Sequence, residues 1–293
     1  MGADSLRVRG TIEGEIRDGL PGALLPASAD ADARTDISPD LAQVVNGRLT
    51  AGITASGRLR FVRTRDGAEL LAEVTPHFTS PPQRRYAPTG RGAGLHHTEV
   101  LFDARDGERF YGLGQHQHGR LDQKSAVIEL IQRNTEVSIP FLVSSLGYGF
   151  LWNHPGIGRV ELGTNGTRWV SEASRQWEYW ITAAEEPAGI LRRYADVTGR
   201  PPLLPEWASG FWQCKLRYRT QQERLDVARE YKRRGLPLSV IVVDYFHWTR
   251  QGGSTRANGR IRPAWWPSWT GWASSSWCRS GRPSTRRART TPR

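Results

Sequence analysis

The segment Gln115-His116-Gln117-His118 has the look of a metal site, since imidazole nitrogens are common ligands. Glutamine is a poor ligand, however, and two histidines two residues apart need a third partner, so no metal is expected. Cys214 and Cys278 make neither a disulfide framework nor a metal-binding spacing. Glu129 and Glu136 are carboxylates of the kind hydrolases use, but both fall in a strand-rich stretch, where salt-bridged or solvated surface positions suit them better. Asp244 is different. It ends the apolar run Val240-Ile-Val-Val, and a carboxylate at the C-terminal end of a buried strand can accept hydrogen bonds from a ligand or cap the helix that follows. Lys215, Arg217 and Tyr218 follow an earlier apolar segment and fit the rim of such a site or a solvated loop. Asn165-Gly166-Thr167 is a glycosylation sequon, which acts only in a secreted protein.

Strands must hold the first 200 residues together. Leu59-Arg-Phe-Val-Arg-Thr, Glu69-Leu-Leu-Ala-Glu-Val and His97-Thr-Glu-Val-Leu-Phe alternate or cluster apolar residues over strand lengths, with turn signals at Arg65-Asp-Gly and Asp103-Ala-Arg-Asp-Gly. Ser138-Ile-Pro-Phe-Leu-Val-Ser-Ser and Tyr148-Gly-Phe-Leu-Trp predict two strands about a turn centred on Gly147. Gln176-Trp-Glu-Tyr-Trp-Ile-Thr alternates with period two. Many short strands with Gly and Asp turns predict an antiparallel β-sandwich over residues 1–200. One helix is expected from Pro187 to Thr198, stopped by Gly199 and followed by Pro201-Pro202.

The pattern changes after Pro205. Trp207-Ala-Ser-Gly-Phe-Trp-Gln-Cys is a short apolar segment. Thr220 then opens a helix as its N-cap, with Glu223 completing a capping box and Gly235 ending it. The run Leu238-Ser-Val-Ile-Val-Val-Asp-Tyr-Phe is what a strand buried on both faces requires. Strand, helix and strand make one βαβ unit over residues 201–250.

The net charge of +12 invites a nucleic-acid partner, but nine arginines and no acidic residue lie in residues 251–293, which leaves only three net positive charges for the rest. No nucleic-acid binding is expected of the folded part. No apolar run approaches the about 20 residues a membrane helix needs, and Met1-Gly-Ala-Asp-Ser-Leu-Arg has no signal-like apolar core, so a cytoplasmic protein is expected. The tail is unusual. Ile261 is its only Leu, Ile or Val, while Trp265, Trp266, Trp269, Trp272 and Trp277 sit among Ser, Gly, Pro and Arg. Such a segment reads as a disordered basic arm or as a frameshift. The frameshift is favoured. Back-translated with GC-rich codons and read one base out of register, the tail can encode a Pro-Asp turn, an amphipathic helix, a glycine and an apolar strand, which is the next turn of the same alternation.

Four motifs in order resemble glycoside hydrolase family 31, nearest its α-xylosidase/α-glucosidase branch. They are Phe110-Tyr-Gly-Leu-Gly-Gln; Ile139-Pro-Phe-Leu-Val-Ser-Ser with Gly147-Tyr-Gly-Phe-Leu-Trp-Asn; Pro205-Glu-Trp-Ala-Ser-Gly-Phe-Trp-Gln-Cys; and Val242-Val-Asp-Tyr-Phe-His-Trp. The resemblance covers about residues 45–250. It implies a galactose-mutarotase-like sandwich followed by a (β/α)8 barrel, of which this chain would hold the first βαβ, truncated. It also implies that Asp244 accepts hydrogen bonds from sugar hydroxyls, that Phe246 and Trp248 wall the pocket, and that Lys215 and Tyr218 line the same mouth. Sugar sits at the C-terminal ends of the strands in such barrels.

Retaining α-glycosidases need two carboxyl groups about 5–5.5 Å apart. By resemblance both would be aspartates on later barrel strands. No Asp or Glu occurs in residues 251–293. The chain is therefore expected to be an inactive fragment of an enzyme that hydrolyses terminal α-xylosides or α-glucosides, with a carbohydrate substrate and no cofactor. The rival is a stand-alone carbohydrate-binding module built from residues 1–200. A third reading, single-strand nucleic-acid binding by the Arg- and Trp-rich tail, draws no support from the first 250 residues. Which α-glycoside is cleaved, and the oligomeric state, stay open.

Overall fold

The computed structural model describes residues 2–26, 33–38, 41–75, 82–92 and 94–244. It divides into two compact units, Met1–Arg200 and Pro201–Arg293. Residues 245–293, and with them Phe246, Trp248 and the tail, lie outside the described residues.

The first unit holds three five-stranded sheets, and every strand pairing in them is antiparallel. One runs Ser5–Gly10, Trp177–Ala183, Tyr148–Trp152, Val137–Ser144, Phe110–Gln115 in spatial order. A second runs Val127–Leu130, Gly158–Leu162, Thr167–Ser174, His96–Phe102, Arg84–Pro88. The third is a meander from Arg34–Ile37 through Leu41–Asn46, Leu49–Thr54 and Leu59–Arg63 to Glu69–Ala72. The alternation at residues 59–64 and 69–74 predicted strands but not that they form a sheet of their own. This sheet sends Leu49, Leu59 and Phe61 into the core shared by the other two.

Aromatic rings knit the three sheets. Phe150 stacks on Tyr179 and on Trp169, both at 4.8 Å between centroids, and Phe61 meets Tyr179 edge-on at 6.1 Å. Such pairs add about 0.5–1.5 kcal/mol each beyond burial. The strand Trp177–Ala183 is buried at every position because its sheet is covered on both faces. Trp177, Tyr179 and Ile181 enter the main core, while Trp180 packs on Ile190 of the helix Pro187–Thr198. That helix begins with Pro in its first turn, where the missing N–H costs nothing, and is followed by Gly199 at φ 92°.

The glycines of Phe110-Tyr-Gly-Leu-Gly-Gln have a steric origin. Gly112 and Gly114 have φ of 104° and 96°, and a Cβ on Gly114 would stand 1.9 Å from the Val137 carbonyl oxygen. The opposite strand changes register between Ser138 and Leu142, and the two glycines follow that irregularity.

The second unit contains a strand–helix–strand. After a 3-10 turn at Glu206–Ser209, the strand Trp212–Lys215 pairs in parallel with Val240–Val243, with Cys214 opposite Val242 and Lys215 opposite Val243. The helix Gln221–Arg233 joins them. Thr220 Oγ1 accepts the Glu223 amide at 3.1 Å, as the capping box predicts. The return arm lands one residue earlier than expected, since the Arg219 amide donates to Glu223 Oε2 at 2.7 Å. Burial of the apolar run is partial: Val240 and Ile241 are buried, Val242 and Val243 only half so.

Candidate active site

Parallel pairing puts the C-terminal ends of both strands on one edge of the second unit. Asp244 follows Val243 directly, and Lys215 lies opposite Val243. The Cys214 thiol donates to Asp244 Oδ2 at 3.3 Å. Burial and then the neighbouring Asp244 carboxylate push the Cys214 thiol above its ordinary pKa. A register this simple could not be seen from either strand alone, which is why the thiol–carboxylate contact was not legible in the sequence.

Lys215 is engaged. Its Nζ lies 2.6 Å from Glu223 Oε1 and 5.7 Å from the centroid of the Tyr218 ring. Lys215 first, and the Arg219 amide next, hold the Glu223 carboxyl below its usual pKa. The capping-box glutamate thus fixes the end of the first strand as well as the start of the helix. Arg217 is exposed.

Tyr218 departs from the expected rim position. It is 4 % exposed and packs with Ala228 of the helix and Ile241 of the second strand. Its hydroxyl accepts from Gln213 Nε2 at 3.3 Å, and Gln213 Oε1 in turn accepts from the Tyr231 hydroxyl at 2.7 Å. An aromatic ring is what fills the space between a small helical residue and a strand. Tyr218 is accordingly a core residue of this unit, neither a solvated loop residue nor an open wall.

The other candidates are in the first unit. His116 and His118 stack at 5.5 Å, with His116 Nε2 on the Leu113 carbonyl at 2.8 Å and His118 Nδ1 accepting the Arg120 amide at 3.1 Å. Among the described residues no group of three His, Cys, Asp or Glu could hold a metal ion. Glu129 pairs with Arg133 on the surface, and Glu136 is half-exposed. A cavity of about 490 Å³ is lined by Gln132, Pro140, Trp152, Asn153, His154 and Ile157 among others. Its polar groups are taken up internally. Asn153 Oδ1 accepts the Ala23 amide at 2.7 Å, His154 Nδ1 accepts the Gly156 amide at 3.1 Å, and the Gln132 amide closes on both backbone groups of Ser138. No Phe, Tyr or Trp ring among the described residues of this unit is exposed.

Comparison with known proteins settles what these units belong to. A profile described as the TIM-barrel domain of glycosyl hydrolases family 31 matches residues 201–272. An uncharacterised family 31 glucosidase, ORF2, of Pseudescherichia vulneris is 44% identical over 268 residues, covering 86% of this chain and 50% of its own length. The crystal structure of a family-31 α-xylosidase from a soil metagenome, complexed with xylose, matches with a TM-score of 0.83 and 41% identity over 94% of this chain and 43% of its own. The chain belongs to glycoside hydrolase family 31. An α-xylosidase of Saccharolobus solfataricus is 34% identical over 65% of this family-31 chain, and the match takes in 27% of that enzyme. The chain spans about half, or less, of the length of these relatives. Its mostly β first unit agrees with the sandwich expected of the family.

Proposed function

We propose that the whole protein is a retaining α-glycosidase acting on terminal α-xylosides or α-glucosides, and that the 293 residues given are inactive alone. The observation that carries the reading is Asp244. It lies just past the second of two parallel strands, on the edge where a barrel of this kind binds its ligand, with the thiol of Cys214 against one carboxylate oxygen. Asp244 accepts hydrogen bonds from sugar hydroxyls at the reacting ring, and Phe246 and Trp248 wall the same pocket. Lys215 acts through Glu223 rather than on the sugar. Catalysis proceeds by double displacement between two carboxyl groups outside this sequence. Residues 251–293 represent the downstream barrel read out of frame.

The stand-alone binding module is less favoured. Sugar-binding surfaces present Phe, Tyr or Trp rings to C–H faces, and none of those rings is exposed among the described residues of the first unit. Sequencing the gene from the Phe246 codon through the length of its relatives tests the proposal. An open frame encoding further barrel strands with two aspartates, whose product hydrolyses aryl α-xyloside or α-glucoside, supports it. An unrelated sequence after the Arg293 codon moves the reading to the binding module, and turnover by the 293-residue chain itself removes the claim of inactivity.

A further inference from the structure

Asn165 is a polar residue of the first unit that the proposed hydrolysis does not use. It stands in the loop 163–166 between the strands Gly158–Leu162 and Thr167–Ser174, is exposed, and is followed by Gly166. Asn46 is also followed by a glycine, at the turn between the strands Leu41–Asn46 and Leu49–Thr54. The fold treats the two differently. Asn46 is 5 % exposed, and its side-chain amide donates to the carbonyls of Gly2 at 3.0 Å and Ser5 at 2.8 Å. Asn134 and Asn153 are followed by Thr and His.

We propose that Asn165 is a modification site, at which the chain deamidates without an enzyme, and that the fold protects Asn46 from the same reaction. The Gly166 backbone nitrogen gives up its proton and attacks Asn165 Cγ. A new C–N bond closes a succinimide ring, the bond from Cγ to the side-chain nitrogen breaks, and that nitrogen leaves as ammonia. Water then opens the ring at either carbonyl, giving aspartate or, with the main chain rerouted through the side chain, isoaspartate. No oxidant or reductant takes part. A following glycine favours the attack, because no Cβ shields its nitrogen and its backbone turns freely. The Thr and His after Asn134 and Asn153 bring a Cβ to that place. At Asn46 the two hydrogen bonds hold the leaving nitrogen, and the side chain reaches Gly47 only when both are broken. Isoaspartate lengthens the backbone of the loop beside Thr167, which is buried and pairs with Leu162. Either product also removes the amide that the sequon Asn165-Gly166-Thr167 offers to a glycan.

Incubation of the 293-residue chain at pH 8, with its tryptic peptides followed by mass spectrometry, tests this, since Asn165 falls in the peptide 160–168 and Asn46 in the peptide 35–48. In the native chain the first peptide is expected to gain aspartate and isoaspartate at least about tenfold faster than the second, the protection that two hydrogen bonds give a buried side chain. In urea the two rates should converge, because both asparagines then precede an unhindered glycine. Gly166 has a φ outside the left-handed region, and a Cβ there would meet the Phe102 carbonyl oxygen at 3.5 Å, an ordinary contact. Gly166→Ala therefore fits the fold and should slow the reaction at Asn165 severalfold. Equal native rates in the two peptides, or a peptide 160–168 that stays unconverted, overturns the assignment. A gap that persists in urea also overturns it, since the difference then comes from neighbouring residues and not from the fold. An unchanged rate in Gly166→Ala does the same, because it removes the ring from the reaction.

Discussion

Cys214 and Asp244 sit on neighbouring parallel strands, and the thiol reports on the carboxylate. Burial and the Asp244 charge both disfavour the thiolate. The pH midpoint for alkylation of Cys214 is therefore expected above that of a free thiol, in a Cys278→Ser background that silences the other cysteine. Asp244→Asn removes the charge and should lower that midpoint, while an unchanged midpoint would mean the two groups do not meet in solution. In a frame-restored enzyme the same substitution bears on function. If Asp244 accepts sugar hydroxyls, losing charge-assisted hydrogen bonds worth about 1.5–3 kcal/mol each should reduce kcat/KM by roughly 10-fold to 150-fold per bond lost. Tyr218→Phe separates the core role from the rim role at the neighbouring position. The ring carries the packing against Ala228 and Ile241, so the variant should stay within about 1 kcal/mol of wild type in stability.

Between elements, the end of the third sheet meets the second through a backbone bridge from Glu73 to Phe102 and an ion pair from Glu73 to Arg84 whose carboxylate is buried. Glu73 is fully buried; it accepts Arg84 Nε at 2.8 Å and Nη2 at 2.7 Å, and the Leu59 amide at 2.9 Å. Arg84 lies 5.3 Å over the Trp177 ring. Breaking such a pair by removing one partner costs about 3–5 kcal/mol, whereas replacing both with apolar side chains is often neutral. Urea unfolding of Glu73→Leu should show the full loss, and Glu73→Leu with Arg84→Met should recover most of it. Additive losses in the double variant would refute the pairing. The contrast with Thr220 and Glu223 explains what a sequence discloses. A capping box is complete within four residues, and the helix Pro187–Thr198 is bounded by its own Pro and Gly, so both were legible. Glu73 and Arg84 sit on different sheets, and nothing near either residue signals that the other will meet it. The Glu108 carboxyl, which accepts from the Ser144 and Tyr148 hydroxyls, was hidden for the same reason, since both follow more than thirty residues later. Tyr218 was misplaced because a residue next to a strand end looks like loop until the helix that covers it is in position.

At the scale of the whole molecule the two units differ in how far they satisfy themselves. The first closes three sheets around one core and covers its outer Trp180 with a helix. Among the described residues, the two strands of the second unit each have a neighbour on one side only, and Phe211, Trp212 and Leu216 are 47%, 45% and 66% exposed. Unpaired strand edges next to exposed apolar side chains recruit other chains. The 293-residue chain is therefore expected to self-associate with rising concentration in sedimentation velocity, and a frame-restored protein to sediment without that dependence. The same asymmetry bears on activity. The mouth proposed at Asp244 would need further strands around it to bind, and a double displacement needs two more carboxyls placed about 5–5.5 Å apart. Restoring the frame should thus change self-association and hydrolysis of aryl α-xyloside or α-glucoside together. If association disappears while activity stays absent, the downstream strands complete a fold without completing a glycosidase, and the role proposed for Asp244 falls with it.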